Sequence, residues 1–304
     1  MEQTIEKPKK HKKLIPHKNW LITLAVVFFI YTLMLILPCL YLVYNSVKGW
    51  QEFWANPWAL PVKFFKELGN YIEAFDMAVV TDEGERVGLL AMFGNSLFLT
   101  LLAPMVSLFC HSCTAYAYAR HRFKLKGLLY ALMITPMLVN IAGSLPTTAQ
   151  LIKTMGIKDN IVMILILYTT GHGFNFLLLA SVFENISGTY KEAALIDGAG
   201  HWRIFITIYL PQASNMLISL YILAAIGVWN DYMTPYLYLP NHPTLATGIY
   251  LLQDNVKGSP TKPDYRDWPK LFAVMILSIL PVLTLFIVFQ ERIMTMAMGG
   301  GVKE

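Results

Sequence analysis

Chemistry-bearing side chains are scarce in this 304-residue chain, so the few that interrupt its apolar stretches stand out. Cys110-His111-Ser112-Cys113 is formally a C-x-x-C, which could form a redox pair or half a metal site. No second pair accompanies it, and on an apolar helix an i, i+3 cysteine pair is more simply packing. Gly171-His172-Gly173-Phe174-Asn175 sets an imidazole and an amide in the middle of another apolar run. Polar groups at bilayer depth face a bundle interior or a pathway. His172 and Asn175 are therefore candidates for lining a polar route, with hydrogen-bonded helix packing as the alternative. With Asn140, Phe174, Trp229 and Asn230 they offer aromatic faces and amides, the mixture that reads hydroxyl-rich ligands, although each can equally pack or anchor. The sequence has no G-x-x-x-x-G-K-[ST], H-E-x-x-H or G-x-S-x-G pattern and no paired carboxylates within its apolar runs. ATP chemistry of the P-loop kind must come from elsewhere.

The elements that would hold these residues are membrane helices. Hydrophobic residues make up 56% of the chain and charged ones 14%, against about 25% charged in soluble domains. This composition predicts an all-α polytopic membrane protein, long enough for about six spans. The expected spans are Trp20–Tyr44, Leu89–Tyr118, Leu128–Gln150, Ile161–Phe183, Ala213–Trp229 and Leu271–Phe289. The third carries Pro136, Asn140, Gly143 and Pro146, an interrupted helix tolerated where freed backbone groups face protein or water. Its rival role aside, the C-x-x-C pair lies in the second span's inner half while His172 sits mid-span, which disfavours a membrane-embedded enzyme built on all three.

Charge sets the orientation. Residues 1–19 form a basic tail with six lysines, Lys7 to Lys18, and Arg120-His121-Arg122-Phe123-Lys124-Leu125-Lys126 follows the second span. Both read as cytoplasmic, so the net charge of +5 is a topology signal and not a nucleic-acid one. Both termini then fall inside, residues 45–87 and 236–269 form external loops, and 294–304 form an inner tail. Trp50, Trp54 and Trp58 recur every four residues, as along an interfacial helix, an aromatic belt in preference to a sugar platform. Ile36-Leu37-Pro38-Cys39 has proline where a lipoprotein cleavage site would not, and the first apolar run is too long for a signal peptide, so a retained N-terminus is expected. Three cysteines in apolar runs indicate no disulfide framework.

Between the fourth and fifth spans lies Ser187–Pro211, the least lipid-compatible segment between two long apolar runs. Thr189 with Glu192 predicts a capping box and a helix from Tyr190 to about Ile196. Gly198-Ala199-Gly200 is a hinge. Trp202, Phe205, Ile206 and Tyr209 then mark one apolar face of a second short helix, and Pro211 opens the next span. The unit is a helical elbow at a membrane surface, a shape suited to docking.

Glu192-Ala193-Ala194, Asp197-Gly198-Ala199 and Ile208-x-Leu210-Pro211 resemble the EAA loop of membrane subunits of bacterial ABC importers, most closely the carbohydrate permeases of the maltose-transporter G type. Asn45-Ser46, Pro61, Asn70-Tyr71, Asn95-Ser96-Leu97, Ala115-Tyr116-Ala117-Tyr118-Ala119-Arg120, Trp229-Asn230 and the Gly300–Lys303 tail are similar to further family signatures. Gly200 replaces the usual Ser or Thr, a tolerable N-cap. The resemblance implies a type I importer permease fold in the bacterial cell membrane. It implies a coupling surface of Glu192, Ala193, Ala194, Asp197, Gly198, Ala199, Trp202 and Pro211 for a cytoplasmic ATPase dimer. It also implies a second permease, an extracytoplasmic solute-binding protein, and no cofactor on this chain, with ATP and Mg held by the ATPase. Motion of the elbow would pass to the spans joined through Pro211 and near Glu184, giving alternating access to a carbohydrate, probable oligosaccharide cargo; a non-sugar solute such as a peptide is the rival cargo.

Overall fold

The computed structural model describes residues 18–62, 68–138, 144–170, 173–258 and 267–299. Most of the basic tail, Asn140, Gly143, His172 and the Gly300–Lys303 tail lie outside these residues.

The chain is a helix bundle. Helix α1 (Lys18–Ser46) is followed by the short α2 (Trp50–Ala55) and α3 (Gly69–Glu73), then α4 (Leu89–Arg120). Next come α5 (Lys126–Leu138), α6 (Ser144–Thr154), α7 (Ile161–Leu167), α8 (Gly173–Asn185) and α9 (Gly188–Ile196). The chain closes with α10 (His201–Ile204), α11 (Leu210–Gln212), α12 (Ser214–Asn230), α13 (Met233–Tyr238), α14 (Leu245–Gly258) and α15 (Trp268–Gly299). Among the described residues three helical stretches, Trp20–Ser46, Leu89–Arg120 and Trp268–Glu291, are long and apolar enough to cross a bilayer. A fourth is formed if His201–Gln212 and Ser214–Asn230, which meet at 77°, count as one bent span. The expected fourth span is two shorter helices, α7 with α8; of the expected third span α5 and α6 are described, and residues 139–143 between them lie outside the described residues. The bend before α12 falls at Ala213, not at Pro211, because Pro211 sits in the first turn of α11, where its missing N–H costs nothing.

The all-α expectation needs one correction: a two-stranded antiparallel ribbon, β1 (Ala78–Val80) with β2 (Arg86–Gly88), stands before α4. Gly84, at φ +85°, makes the left-handed step of its turn. The tryptophan series also breaks, since α2 stops at Ala55 and Trp58 lies beyond Pro57. All three indoles are exposed.

Two of the sequence signatures meet in space around the end of α1. Asn70 donates through Nδ2 to the carbonyls of Ser46 (2.8 Å) and Lys48 (2.9 Å), and the Ser46 and Tyr71 hydroxyls lie 2.8 Å apart. Lys48 is buried, with its ammonium donating to the Asn56 and Pro57 carbonyls and resting over the Tyr44 ring. Burial pushes its pKa down.

Helix α4, about 48 Å long at 1.5 Å per residue, packs against α8 and α12 and reaches both ends of the bundle. At one end Ser96 accepts a hydrogen bond from the Leu245 N–H (2.7 Å), and Asn95 donates to the Pro243 carbonyl (3.0 Å). Loops at that end are tied together through Asn241, which bonds Glu83 and Asp159. The other end carries the elbow.

Candidate functional site

The elbow is shaped by local backbone chemistry. Ser187, not Thr189, caps α9: its hydroxyl accepts from the Thr189 N–H and lies 2.7 Å from the Thr189 hydroxyl. Helix α9 therefore starts at Gly188, two residues before the capping-box reading, and Glu192 is left exposed in its middle. At the far end the Gly198 N–H reaches the Leu195 carbonyl (3.1 Å) and the Ala199 N–H reaches the Ala194 carbonyl (2.9 Å). With Gly198 at φ +75°, this is a Schellman cap, which needs a left-handed residue at that position. Gly200 then caps α10 in an extended conformation.

Beyond α10 the ladder widens into a π-helical turn, Phe205–Tyr209. The extra residue in that turn rotates the apolar face. Ile204, Phe205 and Tyr209 are buried, whereas Trp202 is 64% exposed and Ile206 53%. The expected stripe of Trp202, Phe205, Ile206 and Tyr209 is thus split between two faces. The inner face packs into a cluster with Leu108, Ala115 and Tyr116 of α4 and Phe176, Leu179 and Phe183 of α8. The Tyr116 ring lies tilted against Phe205 and Tyr209, with centroids 5.0 and 4.9 Å away, and Phe183 is edge-on to both. The outer face presents Glu192, Ala193, Asp197, Gly198, Trp202 and Pro211, joined by Tyr190, Ile196 and Ile206. Ala194 and Ala199 turn inward against the cluster.

The joint between elbow and α4 is polar at its rim. The Arg120 guanidinium donates to the Ile186 carbonyl and lies over the Tyr209 ring, and its own carbonyl accepts from Lys191 (2.9 Å). His121 is edge-on to Tyr116 and His201. Burial, then the nearby Lys191 and His201 charges, hold its pKa below the ordinary histidine value. Neither Arg120 nor His121 stood among the residues chosen from sequence for this site, although the signature ending in Arg120 marked the spot.

Of the candidates named in the apolar runs, Trp229, Asn230, Phe174 and Asn175 divide between two cavities, while Asn140 and His172 lie outside the described residues. Trp229 and Asn230 line one of about 650 Å³ with Tyr232, Tyr250, Gln253 and Ser278. Trp229 is a fixed wall there, its indole N–H donating to the Ser278 carbonyl (3.1 Å) and its ring edge-on to Phe93. Phe174 and Asn175 line a second cavity of about 380 Å³ with Tyr168 and Asp231. The Asp231 carboxylate accepts from the Tyr168 hydroxyl (2.9 Å) and from the Thr234 N–H (3.0 Å). The sequence reading passed over both; the signal was a carboxylate directly beside the Trp229-Asn230 pair, at the end of an apolar run.

The Cys110–Cys113 motif does not assemble a reactive group. Cys110 is exposed on α4, Cys113 packs against the elbow cluster, and both are free thiols. His111 is buried and its Nδ1 is bonded to the Ser107 carbonyl (2.6 Å). Among the described residues no three His, Cys, Asp or Glu side chains are grouped as metal ligands would be.

The family model of the binding-protein-dependent transport system inner membrane component matches residues 87–294. The chain belongs to this family. Its members are transport subunits of membranes and not enzymes. A polygalacturonan/rhamnogalacturonan transport system permease of Bacillus subtilis is 26% identical over 298 residues, covering 94% of this chain and 99% of the relative. A diacetylchitobiose uptake system permease of Streptomyces coelicolor is 25% identical over 266 residues, 87% of this chain and 83% of the relative. A chain in the crystal structure of a bacterial ABC transporter involved in alginate import shares the fold, with a TM-score of 0.74 at 23% identity, covering 94% of this chain and 99% of that one. The type I importer permease fold is therefore that of this family member.

Proposed function

We propose that this chain is one of two permease subunits in an ATP-driven importer of carbohydrate, of the oligosaccharide class, and that the outer face of the elbow is its coupling surface. The observation that carries the reading is the elbow itself. Its inner face is fixed to α4 and α8 by a buried aromatic cluster, while Glu192, Asp197, Gly198, Trp202 and Pro211 are exposed, with nothing covering them among the described residues. A cytoplasmic ATPase dimer holding ATP and Mg docks on that face. The chain itself binds no cofactor, and the second permease and lipid surround its apolar flanks.

In this reading the chain crosses the membrane six times: α1, α4, α5 with α6, α7 with α8, α12 and α15. Interrupted helices inside a bundle are compatible with membrane depth where their freed backbone groups face protein or a water-filled route. Both termini are cytoplasmic. Support comes from the basic stretch Arg120–Lys126, which emerges at the same end of the bundle as the elbow. An extracytoplasmic solute-binding protein delivers cargo at the opposite end, where the ribbon and the Asn241 knot lie. The carbohydrate assignment is supported by the saccharides named for the relatives and by the two cavities, which combine aromatic rings with amides and a carboxylate.

The test is purification of the tagged full chain from native membranes in mild detergent. A second permease and an ATPase should co-purify in fixed proportion, and the ATPase should be lost when Glu192→Arg and Trp202→Asp are combined. A chain that never carries an ATPase under several mild conditions refutes the coupling assignment.

A further inference from the structure

The signature that ends in Arg120 has no role in the coupling surface itself, yet it lies at the joint behind it. Arg120 is the last residue of α4. Its guanidinium donates to the carbonyl of Ile186 and reaches that of Glu184 (3.5 Å), so it meets the strand of chain that leaves α8 and enters α9. The same guanidinium lies over the ring of Tyr209 in the π-helical turn, 5.2 Å from its centroid. Its backbone carbonyl holds Lys191 of α9. One residue thus touches the entry to the elbow, its first helix and its last turn.

The chemistry suits arginine and not lysine. A planar fork can satisfy carbonyls left over at a helix end while its face rests on an aromatic ring. A lysine ammonium can do one or the other. The other side chains of the joint are poorly directional: among the described residues the buried hydroxyls of Tyr116 and Tyr209 and the His121 Nδ1 meet no hydrogen-bond partner. Ring packing gives the joint its stickiness, and Arg120 gives it a fixed orientation.

We propose that Arg120 is a positioning residue of the transport cycle, a clasp that passes displacement of the elbow directly to α4 without relying on the covalent path through Pro211. This rests on the reading that the elbow docks an ATPase, and the two can fail separately. Cys110, exposed on α4 ten residues before Arg120, is a native reporter. The importer is purified through a tag on the full chain, and labelling of Cys110 by N-ethylmaleimide is timed by peptide mass spectrometry, with and without Mg-ATP and vanadate. The wild-type rate should change several-fold on adding nucleotide. In Arg120→Gln the ATPase should remain bound and active while that change disappears.

A nucleotide response that survives in Arg120→Gln with the ATPase still bound overturns the clasp. So does a wild-type complex in which Cys110 never responds, since α4 would then receive no motion. Absence of the ATPase from the wild-type complex defeats the docking reading instead. If Arg120→Gln does not assemble, Tyr209→Leu removes the ring under the guanidinium and keeps an apolar side chain; a reduced response supports the clasp and an unchanged one overturns it.

Discussion

Gly198 sets the angle between the two limbs of the elbow, and its replacement by alanine isolates that contribution. No atom lies within 4 Å of where a Cβ would stand at Gly198, so the methyl group meets no steric barrier. What remains is the backbone: φ is +75°, and an L-residue in the left-handed region costs about 1–2 kcal/mol. That is a shift of about 5- to 30-fold in the equilibrium between the capped elbow and its opened forms. Hydrogen–deuterium exchange on the purified complex reads this directly. Peptides spanning α9 and the hinge should exchange faster in Gly198→Ala by about that factor, because the N–H groups of Gly198 and Ala199 lose their caps. Gly198→Asn should show a smaller effect, since asparagine tolerates the left-handed region better. Peptides from α4 and α15 should be unchanged. If Gly198→Ala exchanges like wild type, or if alanine and asparagine are indistinguishable, the elbow is not held by a left-handed cap and the reasoning fails.

Other changes test the joint and the outer layer. Tyr209→Phe should leave the melting temperature of the complex unchanged or slightly raised, because the deleted hydroxyl is buried with no partner; a large fall would reveal a bond to that oxygen. Asn70→Ala strands the Ser46 and Lys48 carbonyls in a buried site, a loss of about 1–3 kcal/mol that a denaturation midpoint in detergent should register. His121, whose pKa is held down in the fold, contributes stability that is full above its unfolded pKa of about 6.5 and is lost as pH falls through the folded value. The thermal midpoint should therefore drop on acidification below neutrality, and His121→Gln should flatten part of that slope; equal slopes in both proteins would remove His121 from the account.

Apolar run length made the long helices legible. The expected Trp20–Tyr44, Leu89–Tyr118 and Leu271–Phe289 sit within α1, α4 and α15, and Ala213–Trp229 is nearly coextensive with α12. Interruptions were harder to read. The prolines and the glycine of Leu128–Gln150 predict an interruption that lies outside the described residues, whereas the break after Leu167 is made by hydroxyl groups turning back onto carbonyls: Thr169 to Ile166 and Thr170 to Leu167. Such local bonding leaves little trace in hydropathy. The elbow shows the same division. Gly198 gave away the hinge, but a capping box was read where Ser187 does the capping, and a uniform 3.6 period hid the π-helical turn that moves Trp202 and Ile206 outward. Arg120 and Asp231 acquire their meaning only from contacts with distant segments, at Ile186 and Tyr168 respectively, which no single-chain period encodes.

Those distant contacts converge on α4. Near its first turns Asn95 and Ser96 hold the segment that begins α14, and α14 supplies Tyr250 and Gln253 to the larger cavity. Near its middle Ala103, Pro104 and Ser107 form a wall of the second cavity. Its last residue holds the elbow. Pro104 lacks the N–H that would bond the carbonyl one turn earlier, so the helix is least stiff beside that second cavity. A displacement imposed at Arg120 need not therefore carry the whole helix with it. Bending at Pro104 would change the cavity wall, while the contacts of Asn95 and Ser96 would keep the first turns of α4 in register with α14. Helix α12 gives a complementary constraint, since Tyr221 donates to the Leu101 carbonyl (3.1 Å) just before the proline. The joint to the elbow and the cavity wall that contains Pro104 lie along one element, so under the proposed coupling a displacement of the elbow would change the shape of that cavity without repacking the rest of the bundle.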